Sequence, residues 1–120
     1  MTRRAVIAAI ADVVAIVVFV AIGRRNHDEG TTVDGIATVA APFLIALAVG
    51  WLVSRAWARP LAPHTAFVIW PVTVAVGMVL RNLVFDRGTA ASFIIVATVV
   101  TGVFLVGWRL VAARAVDPRR

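Results

Sequence analysis

A single carboxylate, Asp12, interrupts an otherwise uncharged run from Ala5 to Ile22. Such a group can accept hydrogen bonds, pair with a cation, carry a proton or line a polar path. In the middle of a bilayer it costs about 2.5–3.5 kcal/mol on insertion scales, so it is expected to face protein rather than lipid. Two arginines can reach it. Side chains on a helix tilt toward its N-terminus, so Arg109, near the end of a run returning to the chain-start side, leans inward, and so does Arg81 at the far end of its run. Asp12 leans toward the chain start, which favours Arg109. Asn82 and Thr73 complete the polar groups expected inside or along a pathway. The alternative for Asp12 is a sealed pair that only fixes helix register. For the arginines it is contact with lipid phosphate.

Other chemistry finds little support. No GxSxG, HExxH, Walker loop or GxGxxG occurs, so catalysis has no signature and an enzyme is not expected. The absence of cysteine excludes disulfides and thiolate metal sites. His27, Asp28, Glu29 and Asp34 cluster in one loop but lack ligand spacing, and His64 starts a run at the other end. No metal and no cofactor are expected.

The elements that must position Asp12 follow from composition. The 120 residues are 62% hydrophobic and 15% charged, against about 45–50% and 25% in soluble domains. Four apolar blocks, each of about 17–25 residues, match a helix crossing a ~30 Å hydrocarbon core. Backbone groups there must pair within the segment, which requires helices, and the blocks lack the alternation of barrel strands. The expected fold is all-α: one membrane domain over residues 1–120, with transmembrane helices at about 4–22, 36–58, 62–85 and 89–112 forming an antiparallel four-helix bundle. The first block is too long for the apolar part of a signal peptide and is read as a retained helix.

Arginine asymmetry sets orientation. Eight of the twelve lie on the side of the termini and the loop after the second block, and four on the other. That places both termini in the cytoplasm, with the chain in the inner membrane. The net charge of +6 therefore reports orientation, and no nucleic-acid partner is expected. Trp57 and Trp108 are read as interfacial anchors. Gly23, Gly35 and Gly88 are expected at helix edges.

A weak repeat runs through the chain. Gly30-Thr31, Gly50-Trp51 and Pro60 recur 57 or 58 positions later as Gly88-Thr89, Gly107-Trp108 and Pro118. It suggests two parallel helical hairpins; chance among Val- and Ala-rich segments is the alternative. Small residues at spacing four (Ala46, Gly50 and Ser54, with Gly77 and Gly102 on the later blocks) should pack helices closely. The first three suit a homodimer contact, unless they are consumed within one bundle. Pro42 and Pro71 should kink their helices and free the carbonyls of Thr38 and Phe67, with the Thr38 and Thr73 hydroxyls nearby as partners.

Several elements taken together carry a resemblance: Asp12 with Phe19 and Gly23-Arg24-x-x-His27; Ala41-Pro42-Phe43 and Gly50-Trp51; Trp70-Pro71 and Gly77-Met78-x-x-Arg81; Ser92-Phe93 and Gly107-Trp108-Arg109. The chain resembles, over nearly its whole length, the domain of unknown function 3054 family of small prokaryotic membrane proteins, common in actinobacteria. The resemblance implies a multi-pass membrane protein and supplies no mechanism.

The leading expectation for function is small-solute or ion passage through an oligomer, with the path between protomers because four helices enclose little space. The alternative is a non-transporting accessory or structural subunit of a larger membrane complex. That alternative predicts no wet path to Asp12 and a helix face open to a membrane partner.

Overall fold

The computed structural model describes residues 2–26, 32–83 and 91–116. Four helices make up nearly all of it: α1 (Arg3–Asn26), α2 (Val33–Ser54), α3 (Pro63–Leu83) and α4 (Ala91–Val116). Each is long and apolar enough to cross a membrane. Consecutive helices are neighbours, α4 returns to α1, and the diagonal pairs α1–α3 and α2–α4 stay apart. The result is an up-down-up-down bundle of 43 × 25 × 24 Å, with the start of α1, the end of α4 and the α2–α3 turn at one end, the terminal end. The all-α, four-helix expectation holds.

The helix ends explain where the boundaries differ from the apolar blocks. α2 begins earlier than position 36 because Thr32 caps it: its Oγ1 accepts from Gly35 N at 3.1 Å. It stops at Ser54 rather than 58 because Arg55 adopts the left-handed conformation, φ 54°. The Trp51 carbonyl then accepts from the backbone N–H of Arg55 and, at 3.1 Å, from that of Ala56. Left-handed backbone disfavours an ordinary side chain, so no residue type marks this stop. Pro63 opens α3, where its missing N–H has no consequence. Gly23 and Gly35 lie inside the terminal turns of α1 and α2, not beyond them. Gly30, Thr31, Gly88, Thr89 and Pro118 of the repeat lie outside the described residues, as do His27, Asp28 and Glu29 of the loop cluster.

Packing in the far half of the bundle is aromatic. The Phe19 and Phe43 rings meet edge to face at 5.9 Å, and Phe93 joins them at 6.4 and 6.1 Å. Gly77 leaves the space that the Phe43 ring fills. Between α3 and α4, Trp70 Nε1 donates to the Thr98 carbonyl at 2.7 Å, and Gly102 makes room for its indole. α2 and α3 approach most closely: a Cβ built on Gly50 would stand 3.3 Å from the Ile69 backbone. Gly77 and Gly102 thus act in packing.

Of the two uses the stripe allows, packing within one chain takes Ala46 and Gly50, which are buried. Ser54 is half-buried, and its hydroxyl turns back to the Trp51 carbonyl at 3.4 Å. Both prolines sit inside helices that continue past them, Pro42 buried and Pro71 exposed. The hydroxyls do not serve the carbonyls these prolines free. Thr38 Oγ1 donates to Asp34 O at 2.8 Å, and the buried Thr73 Oγ1 has no hydrogen-bond partner among the described residues.

Candidate functional site

Asp12 and Arg109 are both fully buried and meet in two parallel hydrogen bonds. Arg109 Nη1 donates to Oδ1 at 2.8 Å and Nη2 to Oδ2 at 2.7 Å. Helix direction brings them together: Asp12 on α1 leans toward the terminal end, while residues near the end of α2 and α4 lean away from it, into the bundle. The same tilt brings in two indoles. Trp51 Nε1 donates to Oδ2 and Trp108 Nε1 to Oδ1, each at 2.8 Å.

The carboxylate is thereby saturated. A carboxylate offers about four lone-pair sites, and four N–H donors fill them, two on each oxygen. Arg109 is nearly as fully used. Its Nε donates to the Pro60 carbonyl at 2.9 Å, and Nη1 also reaches the Leu105 carbonyl at 3.0 Å. Its guanidinium carbon lies 4.5 Å from the centre of the Trp108 ring, within cation–π range. One cluster therefore joins α1, α2, α4 and the α2–α3 turn. The turn is itself held, because Thr65 Oγ1 donates to the Arg59 carbonyl at 2.8 Å.

A buried pair of this kind gains stability only where the remaining polar sites are satisfied. Here nearly all of them are, through the two indoles and the Pro60 and Leu105 carbonyls. Around it the core is apolar, with Ile16, Ile69 and Leu105 fully buried.

The other sequence candidates lie elsewhere. Arg81, near the opposite end, sits with its guanidinium carbon 4.0 Å above the Phe93 ring. Asn82 is exposed beside it, and Thr73 is buried against Gly50. Of the five polar candidates, only Asp12 and Arg109 come together.

Three participants escaped the sequence reading: Trp51, Trp108 and the Pro60 carbonyl. Trp108 corrects an expectation directly. Its N–H faces Asp12 instead of the lipid headgroups, whereas Trp57 remains exposed. The available signal was the repeated Gly-Trp pair. Gly50-Trp51 and Gly107-Trp108 present equivalent indoles, one to each oxygen of the same carboxylate. The equivalence stops at the glycines: Gly50 presses on α3, while a Cβ at Gly107 would meet nothing within 4 Å.

Comparison with curated proteins and with solved structures gives no match. A family model matches residues 9–112, a span that contains Asp12, Trp51, Trp108 and Arg109. The chain belongs to the family described as "Protein of unknown function (DUF3054)".

Proposed function

We propose that this integral membrane protein is a non-transporting accessory or structural subunit of a larger membrane assembly. The observation that carries the reading is the saturation of Asp12: its carboxylate is 0% exposed, with all four acceptor sites taken by Arg109, Trp51 and Trp108. Passage through the bundle needs a wet polar route, and the groups that could line one are separated or sealed. With Ala46 and Gly50 engaged, a contact with a partner protein or a second copy uses the outward apolar faces instead.

The test is flux. Purified protein reconstituted into liposomes should pass protons, sodium, potassium and small neutral solutes no faster than protein-free vesicles. Flux that rises with the protein-to-lipid ratio would overturn the reading and favour a path between copies.

We also infer an inner-membrane location with both termini cytoplasmic. Arg3, Arg4, Arg55, Arg59 and Arg114 are exposed at the terminal end of the bundle, as the positive-inside rule requires of a cytoplasmic face. The chain has no cysteine, so single substitutions report cleanly. Thr32→Cys should react with an impermeant maleimide in intact cells, and Thr2→Cys only after permeabilisation. The opposite pattern would invert the orientation.

A further inference from the structure

We propose that the groove between α3 and α4 holds an acyl chain of an anionic phospholipid whose phosphate meets Arg114. The groove has a volume of about 430 Å³ and an apolar lining, with Phe67 and Trp70 on one wall and Val103, Gly107 and Leu110 on the other. Gly107 lines it without a side chain, and an added Cβ there would meet nothing within 4 Å. Its α3 wall is preformed. The Trp70 indole is pinned by its 2.7 Å hydrogen bond to Thr98 O, and the Phe67 ring lies 6.4 Å from it. A fixed apolar slot orders a chain at lower entropic cost than a mobile one.

Charge at the mouth selects the headgroup. Along α4 the groove ends at Leu110, and Arg114 follows four residues later on the same face, one turn nearer the terminal end. On α3, His64 stands three residues before Phe67 and is exposed. Arg59 lies in the turn that leads into α3. The Arg114 and Arg59 side chains are exposed and make no ion pair or hydrogen bond among the described residues. No exposed acid stands at this end among the described residues. A second groove of similar volume between α1 and α4, lined by Val14, Val18, Phe104 and Trp108 among others, has only Arg109 within a turn of its lining; that arginine is buried and paired with Asp12, so the groove lacks an exposed cation and serves as the internal contrast.

The proposal does not depend on the accessory role. It is tested by native mass spectrometry of the full chain in mild detergent, titrated with dioleoyl phosphatidylglycerol or dioleoyl phosphatidylcholine. Phosphatidylglycerol should bind in preference. Arg114→Gln should weaken it roughly fivefold, from about 1 kcal/mol per surface arginine, and leave phosphatidylcholine unchanged. Gly107→Leu should remove retention of phosphatidylglycerol while helicity and melting temperature stay at or above those of the unmodified protein, because the new side chain points into open space. Inorganic phosphate at equal concentration should not compete. Equal binding of the two lipids, undiminished phosphatidylglycerol retention in Gly107→Leu, or displacement by inorganic phosphate would each overturn the proposal.

Discussion

Arg109→Leu should destabilise the bundle by about 3–5 kcal/mol, the cost of leaving one member of a buried ion pair alone. The mutation strands Asp12, which is 0% exposed, with two indole donors for two oxygens that now hold four. Asp12→Leu should cost as much for the converse reason, leaving a buried guanidinium with backbone carbonyls alone. Asp12→Asn is no milder remedy, since its amide would point N–H groups at other N–H groups. The double variant Asp12→Leu/Arg109→Leu should recover at least about 2 kcal/mol relative to the sum of the singles, because neither charge is then uncompensated. Detergent-titrated unfolding in mixed micelles measures all four, and tryptophan fluorescence is a direct reporter because two of the four indoles touch Asp12. Single variants within about 1 kcal/mol of the unmodified protein, with additive effects, would show that the pair does not hold the fold.

The second large effect concerns glycines of identical sequence character and opposite consequence. Gly77→Ala should cost about 1–3 kcal/mol, the usual range for overpacking. Its Cβ would fall 2.5 Å from Phe43 Cδ1, and that ring is boxed in by Phe19 and Phe93. Gly102→Ala should cost a similar amount, because its Cβ would run into the Trp70 indole, which cannot withdraw without giving up Thr98 O. Gly107→Ala should instead be neutral or gain up to about 1 kcal/mol, as a mid-helix glycine relieved of backbone freedom. The same unfolding measurement ranks the three. A destabilised Gly107→Ala beside a neutral Gly77→Ala would contradict the packing described for α2, α3 and α4.

Much of this architecture is legible in the residues because the bilayer leaves a chain few options. Four long uncharged runs can only be helices, and an aspartate among them must turn inward. The tilt of side chains along antiparallel helices favours Arg109 over Arg81 before any contact is known. The indole partners are harder to read. A tryptophan near the end of a span suits the headgroup layer and an interior acceptor equally well, and helix rotation, which depends on all the packing at once, decides between them. Gly50 is equally ambiguous, since close approach within a bundle and between bundles uses the same small residues. The end of α2 leaves no trace because an arginine, not a glycine, takes the left-handed position.

The bond between Asp12 and Arg109 spans 97 positions, from α1 to α4. At ribosomal speeds of about 5–20 residues per second, roughly 5–20 s separate the synthesis of the two residues. Throughout that interval α1 carries a carboxylate whose guanidinium does not yet exist. Trp51 becomes available 39 residues after Asp12, and Trp108 arrives only with Arg109. A nascent chain that stops after α3 therefore holds Asp12 within the hydrocarbon layer without Arg109 or Trp108, while one that includes α4 buries it completely. The first helix of the bundle needs the fourth, so the bundle closes around Asp12 only after α4 has been made.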